Sequence, residues 1–381
     1  GGGAGGPGGA DAWIHAASMG EAVAAGALMR GLAARAPEAR FLFSATTRAG
    51  RERLTGFGAP AVLAPLDTPQ AAGRFFAGVA ARRLFLVETE LWPHWLMRAR
   101  TRGVPVAVVS ARLSERSLRG YGRLGRPLRE LVGGLAAVLC QSEEDLGRWR
   151  ALGARAEACA VTGNLKDDGL RVGPRDRAAG RRSLGLDAER PLLVLGSVRP
   201  GEVTALASAW RGLPAALRER WQVAALPRHP GAARALQGEA AAAGQALASP
   251  GGEAPPEAWR WDERLGVLND YYAAAEVAFV GGSLGPYGGH NPIEPAASGA
   301  AVLMGPHHGT QGAAVRALQE AGALRVAGPG EDLVGALAGW LGDDASRARA
   351  GAAAMAVAAQ RQGAVERTVA GLRERGLWPA G

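Results

Sequence analysis

Short apolar runs alternate along this chain with longer stretches whose apolar positions recur every three or four residues. The run at 12–16 is followed by Ser18-Met19-Gly20 and then by a helical pattern from 21 to about 36. Runs at 41–44, 61–63, 84–87, 104–109 and 137–140 continue the scheme, with a helix expected near 48–56. Short strands of this kind, separated by helices, predict a parallel sheet covered on both faces. At 163–190 the pattern lapses into charged, Gly- and Arg-rich sequence with Pro174, which reads as a linker. Apolar runs at 192–195, 222–225, 277–280 and 301–304 then begin a second series of similar build. The expected organisation is a flexible lead-in at 1–10, a Rossmann-like domain at 11–170, a linker at 171–190, a second Rossmann-like domain at 191–345, and a C-terminal helix at 346–381 that packs back on the first. The fold class is α/β, with two parallel sheets facing an interdomain cleft. A ligand in such a fold is expected between the carboxyl ends of the strands.

Composition narrows the functional classes. With 48% hydrophobic and 21% charged residues in a chain of 381, an ordered globular protein is expected. Two cysteines, Cys140 and Cys159, exclude a disulfide scaffold and a four-cysteine zinc site. No uninterrupted apolar run reaches the roughly 18 residues of a spanning helix, so no membrane anchor is expected within the chain. The absence of an initiator Met suggests that the chain starts after its natural beginning. The net charge of +9 favours phosphorylated small molecules, acidic lipid headgroups or nucleic acid. No recognition helix, zinc finger or aromatic-plus-basic platform supports nucleic acid. His307 and His308 lack nearby acidic partners, so no metal is expected. Of the 44 basic residues Lys166 is the one lysine. A lysine kept in so Arg-biased a chain points to work that a compact ammonium does and a forked guanidinium does not.

Several loops carry candidate chemistry. Glu21 sits where a strand passes into a helix, as a general base aimed into the cleft or simply as an acid favourable to the helix N-terminus. Glu88-Thr89-Glu90-Leu91-Trp92-Pro93 ends another strand, again as site carboxylates or as a cap. Arg112, Arg116, Arg119, Arg123, Arg126 and Arg129 recur at helical spacing, which makes a solvated face or a surface for phosphates and anionic bilayers. Gly163-Asn164-Leu165-Lys166 lies at the end of the first domain. In the second domain, 196–202 is a small-residue loop that could meet an anion, and Pro227-Arg228-His229-Pro230 presents Arg228 on a rigid turn. The stretch 281–295 leads from a strand through a Gly-rich loop to a helix carrying Asn291 and Glu294, whose glycines would allow close approach of a ligand. It lacks the Gly-Lys-Ser/Thr of a Walker loop.

Taken together, the segments 15–21, 90–93, 110–121, 163–166, 227–230 and 279–295 resemble the 3-deoxy-D-manno-octulosonic acid (Kdo) transferases of lipopolysaccharide synthesis. The resemblance runs from about residue 13 into the 310s and more loosely to the end. It implies a GT-B fold and an inverting glycosyltransferase that moves Kdo from CMP-Kdo to a lipid A precursor of the lipid IVA kind, without metal or cofactor. It implies Glu21 as catalytic base, with Glu90 and Lys166 supporting the transition state. Pro227, Arg228, Gly266, Val267, Leu268, Asn291, Pro292, Ile293 and Glu294 would line the CMP site. Ser18, Arg112, Arg116, Arg119 and Arg123 would face the acceptor and an anionic membrane surface, on the cytoplasmic side of a bacterial inner membrane. The sequence departs from the family pattern at Val267, where Glu is usual, at Arg199, where His is usual, and at Asp167, where an aromatic is usual. Another GT-B nucleotide-sugar enzyme, such as a sugar-nucleotide epimerase, and a basic peripheral membrane protein are the rival readings.

Overall fold

The computed structural model describes residues 9–253 and 255–379. Most of the lead-in expected at 1–10 lies outside them, but residue 10 belongs to the fold: its carbonyl accepts the Arg82 amide at 2.9 Å. The chain forms two compact units, one reaching to Gly169 and resuming at Arg361, the other Leu170–Gln360.

The first unit contains strands β1 (Ala12–His15), β2 (Phe41–Ala45), β3 (Ala61–Leu63), β4 (Leu84–Val87), β5 (Val106–Ala111), β6 (Ala137–Cys140) and β7 (Cys159–Val161). They pair in parallel in the order β3-β2-β1-β4-β5-β6-β7. The helices between them are α1 (Met19–Ala33), α2 (Arg48–Thr55), α3 (Pro69–Val79), α4 (Pro93–Thr101), α5 (Glu115–Gly122), α6 (Gly125–Gly133) and α7 (Glu143–Leu152). Ser18, Thr47, Thr68, Ser114 and Ser142 each cap the following helix by accepting the amide three residues on. Side chains alternate across the sheet: Trp13, Leu84, Leu86 and Val108 enter one core, while Ile14, Phe43, Phe85 and Val109 enter the other. The strand order reverses between β1 and β4, which makes their carboxyl ends the natural place for a ligand.

The second unit repeats the plan with β8 (Leu192–Val198), β9 (Gln222–Pro227), β10 (Leu247–Ala248), β11 (Trp259–Trp261), β12 (Val277–Val280), β13 (Ala301–Met304) and β14 (Leu324–Val326), ordered β10-β11-β9-β8-β12-β13-β14. Its helices are α8 (Arg177–Ser183), α9 (Glu202–Arg211), α10 (Ala215–Arg220), α11 (Ala233–Ala242), α12 (Leu268–Ala274), α13 (Ile293–Ala297), α14 (Gly312–Glu320), α15 (Glu331–Leu341) and α16 (Asp344–Arg361). Here the order reverses between β8 and β12.

Two expected boundaries move. The segment 171–190 is not a free linker, because it contains α8, whose buried Arg181 binds Glu276 at 2.8 Å and the carbonyl of Ala188. The C-terminal helix is two helices. Ala354, Val357 and Ala358 of α16 fill the core of the second unit. After a turn at Gly363 (φ 81°), α17 (Ala364–Glu374) buries Val369 and Leu372 in the first. No helix of the described residues is long and apolar enough to cross a membrane.

The start of α17 is held by the loop that follows β7. Asp168 accepts the amides of Ala364 at 3.0 Å and Val365 at 2.7 Å, and Asp167 accepts Arg361 Nε at 2.9 Å. We expect Asp168→Ala to cost about 1–2 kcal/mol locally. Hydrogen exchange would report it as faster exchange at the Ala364 and Val365 amides, and unchanged rates there would remove Asp168 as the cap.

Candidate active site

Glu21 occupies the first turn of α1, directly after the carboxyl end of β1. Its amide is accepted by Ser18 Oγ at 3.4 Å, and the Ser18 hydroxyl donates back to Glu21 Oε1 at 3.1 Å. The Ala17 amide donates to Glu21 Oε2 at 2.7 Å. This reciprocal cap fixes the carboxylate's direction. It does not keep it acidic: burial, then the charges of Glu88 and Glu90, raise Glu21 from 4.5 to about 7. The cap and the carboxylate with raised proton affinity are therefore one side chain.

Glu88 is the residue that sequence reasoning passed over in favour of Glu90. It follows β4 with φ 64°, a backbone state that costs a non-glycine residue about 1–3 kcal/mol. Its buried carboxylate binds Lys166 Nζ through Oε1 and Arg112 Nη2 through Oε2 at 3.2 Å. Burial alone would raise Glu88, but the charges of Lys166 and then Arg112 outweigh it and hold the group below its ordinary value. Lys166 is in turn placed by a buried knot. Asn164 Oδ1 accepts the Lys166 amide at 3.0 Å, and the Leu165 amide and Gln141 Nε2 donate to Ser110 Oγ at 3.3 Å each. Ser110 itself has φ 49°. The ammonium lies close to the first turn of α1, since a Cβ on Gly20 would be 3.9 Å from Nζ.

Glu90 completes the group. Its Oε2 accepts Trp92 Nε1 at 2.8 Å and faces His15 Nε2 at 3.7 Å. Tyr121, raised first by burial and then by Glu90, donates its hydroxyl to the Thr89 carbonyl at 3.4 Å. Ser18, Glu21, Glu90, Lys166 and Arg112 thus belong to one locality at the carboxyl end of this sheet.

The arginine row is not one face. Arg112 leaves it, because it sits at the end of β5 and turns to Glu88. The remainder is split between α5 and α6 by a turn at Gly125 (φ 66°). Arg119 pairs with Glu115 at 3.8 Å and Arg126 with Glu130 at 2.7 Å. Arg116 and Arg123 are exposed and have no ion pair among the described residues.

In the second unit, Pro227 ends β9 and the Arg228 amide donates to the Val198 carbonyl at 3.1 Å. Four cationic or titratable side chains gather at these strand ends: burial, then Arg228, Arg199 and His229, push His290 down to about 4. Arg199 lies over the Tyr287 ring at 4.5 Å. Asn291 Oδ1 accepts the Ile293 amide at 3.0 Å and so turns the chain into α13. Pro292 is that helix's N-cap residue, the Ile293 side chain is buried, and Glu294 stands in the first turn, near enough to Tyr272 to help burial raise that phenol. Gly266 makes the turn before α12 with φ 87°, while the side chains of Val267 and Leu268 pack on the core beneath, leaving backbone as what this segment offers a ligand. The glycines serve the protein's own packing. A Cβ on Gly281 would lie 2.4 Å from the Ser197 carbonyl, and one on Gly305 2.2 Å from that of Ser283. Glu202, also missed from sequence, holds the loop: its buried carboxylate accepts the amides of Arg199, Gly282, Ser283 and Leu284 at 2.8–2.9 Å. Among the described residues no group of three or more His, Cys, Asp or Glu is arranged to hold a metal ion.

Residues 4–169 match the family model described as 3-deoxy-D-manno-octulosonic-acid transferase (kdotransferase). The chain is 38% identical to the 3-deoxy-D-manno-octulosonic acid transferase of Bordetella pertussis, over 96% of this chain and 87% of that one. This chain belongs to the Kdo transferase family. It is a glycosyltransferase. The Haemophilus influenzae member is 31% identical over 93% of this transferase and 84% of its own length. Solved structures of low identity share the fold: UDP-GlcNAc 2-epimerase from Neisseria meningitidis has a TM-score of 0.65 at 11% identity, covering 95% of the transferase and 99% of the epimerase chain. An Anabaena protein in complex with UDP and glucose has a TM-score of 0.66 at 15% identity, covering 96% and 99%. Two Rossmann-like domains with parallel sheets make the transferase a GT-B protein.

The raised affinity of Glu21 for its proton has a thermodynamic sign. The folded transferase binds this proton more tightly than the unfolded chain does, so ionisation weakens the fold as pH rises from 4.5 towards about 7. Glu21→Gln keeps the cap acceptor and removes that cost. Its Tm should exceed the wild type's by a few degrees at pH 8, with the gap closing towards pH 5. Equal Tm values at both pH values would show that Glu21 is an ordinary surface acid.

Proposed function

We propose that the transferase moves Kdo from CMP-Kdo to a hydroxyl of a lipid A precursor of the lipid IVA kind, with inversion, in lipopolysaccharide synthesis. Family membership supports the reaction, and one observation carries the mechanism: a directed carboxylate, raised to about 7, at the carboxyl end of β1. Glu21 takes the proton of the acceptor hydroxyl. The oxygen's electron pair forms the new bond to the anomeric carbon of Kdo from the face opposite the nucleotide, and CMP leaves with the electron pair of the broken bond. General-base help of this kind is worth about 10²–10⁴-fold. Lys166 and Glu90 flank the base; the ammonium, steered by Glu88, offsets negative charge that develops during transfer.

The donor is assigned to the second unit. Arg228, with Arg199, His229 and His290 about it, suits the CMP phosphate. The Glu294 carboxylate suits ribose hydroxyls, beside Asn291, Pro292 and Ile293. Pro227 fixes the turn that presents Arg228, and Gly266, Val267 and Leu268 offer backbone. These cations supply the charge that the leaving phosphate needs, and no metal or cofactor has a part in the scheme. The acceptor is anionic and acylated. Exposed Met19 and Val23 flank Glu21 in sequence, and Arg116 and Arg123 are free to meet phosphate, which supports an acceptor presented at the cytoplasmic face of the inner membrane. Ser18 lies on that acceptor side.

Incubation with CMP-Kdo and a lipid A precursor, followed by mass spectrometry, should give a product heavier by one or more Kdo residues, and EDTA should leave the yield unchanged. Glu21→Ala should lower turnover by about 10²–10⁴-fold while thermal shift by CMP persists. Lys166→Arg should lose most activity despite retained charge, since a planar guanidinium does not fit the ammonium's seat on Glu88. A larger thermal shift with UDP than with CMP, or a fully active Glu21→Ala, would overturn the assignment.

A further inference from the structure

His15 is fully buried at the end of β1, yet the proposed chemistry gives it no task. Its ring is closed in by Trp95, with centroids 4.9 Å apart, and by Trp92 at 6.4 Å. Its Nδ1 is 2.8 Å from Ser44 Oγ on β2, and the same hydroxyl lies 2.7 Å from Trp13 Nε1. All three side chains are wholly inaccessible to water. Donor accounting then sets the tautomer. The Trp13 indole can only donate, so Ser44 Oγ accepts from it. The Ser44 hydroxyl proton needs a buried acceptor, and its remaining partner is His15 Nδ1. Nδ1 is therefore the acceptor, and the ring proton sits on Nε2. That Nε2 has no hydrogen-bond partner and lies 3.7 Å from Glu90 Oε2. Trp92 Nε1 reaches the same oxygen.

We propose that His15 is a positioning residue for transfer: with its tautomer locked by Trp13 and Ser44, it directs an Nε2–H at Glu90 and keeps that carboxylate aimed beside Glu21. The inference rests on the reading of Glu21 as the base. The Trp92 indole holds Glu90 Oε2 by a hydrogen bond, the His15 Nε2–H attracts the same oxygen across 3.7 Å, and a negative neighbour so placed keeps Glu21 reluctant to ionise and hence basic. The charged and titratable groups that meet there are Glu21 from α1, Glu88 from the end of β4 with Lys166 and Arg112 upon it, and Tyr121 from α5. The His94–Asp67 pair stands at the start of α4, 3.3 Å apart. Glu88 already carries two cations, which leaves Glu90 as the acid that neutral donors position.

The test pairs two substitutions of similar burden. His15→Gln places an amide donor where Nε2 was; His15→Asn keeps the atom facing Ser44 and loses the donor to Glu90. In His15→Asn, Glu90 loses one of the groups that aim it beside Glu21, and the midpoint of Glu21 falls by about half to one pH unit. The acid limb of the kcat/KM profile moves down with it, while His15→Gln stays near wild type. Carboxyl ¹³C titration of Glu21 in the full chain reads the midpoint without turnover. If Glu21→Gln proves fully active, the base reading fails, and the titration still decides the coupling. An unmoved Glu21 midpoint in His15→Asn, or equal movement in both variants, overturns the proposal. Should neither variant fold, long-range ¹H–¹⁵N correlation in the wild type decides: a proton on Nε2 alone is expected, and one on Nδ1 overturns the tautomer and the proposal with it.

Discussion

Like charges crowd the carboxyl end of the first sheet, and the rest of the site follows from how they are divided. Glu21, Glu88 and Glu90 are mutually repulsive, and burial makes the repulsion stronger than water would allow. Lys166 and Arg112 settle it by attaching to Glu88 alone. One acid is thereby kept firmly ionised and another firmly basic, within a single parallel sheet. Pairs of carboxylates driven apart in acidity are how one pocket supplies both a fixed charge and a proton acceptor.

Holding that division requires backbone that the chain would not adopt unaided. Glu88 and Ser110 both have positive φ at strand ends of the first unit, and Ser197 does so, at 57°, in the second. Each is held by its surroundings: Glu88 by two cations, Ser110 by the Gln141–Asn164–Leu165 knot, and Ser197 by the loop that Glu202 gathers. Both units also use carboxylates in place of secondary structure to satisfy loop amides. Asp168 does so for α17, Asp145 for the Leu113 amide at 2.9 Å, and Glu202 for four amides at once. The orphan donors of loops next to ligand-facing strand ends are satisfied internally, so the loops keep their shape.

Much of this was legible beforehand, for identifiable reasons. Strands buried on both faces write unbroken apolar runs, so the central strands stood out, whereas the short strands β7, β10, β11 and β14, at or next to the sheet edges, left no such trace. Glu21, Glu90 and Lys166 were singled out beforehand from loops after strands and from the family resemblance, and the structure brings them to one end of the first sheet. Glu88 was passed over because the sequence holds two acids two positions apart and says nothing of which one the lysine, 78 positions from Glu88, will reach. Arg112 looked helical by spacing, but its strand ended later than the apolar run implied. The linker was misplaced because a charged stretch looks solvated until Glu276, far along the chain, is seen to bind Arg181. Gly281 suggested room for a ligand, when it is the neighbouring Ser197 carbonyl that needs the space.

A solitary lysine has a practical meaning for chemical labelling. Every other basic side chain here is a guanidinium or an imidazole, so Lys166 is the chain's one side-chain primary amine. It is partly open to solvent, at 29%, and rests against Glu88. An acylating reagent or a reductive-alkylation mixture will therefore find its side-chain target beside Glu88 in the candidate site, and an isotopic methyl group installed that way is a spectroscopic reporter that needs no mutagenesis to be placed.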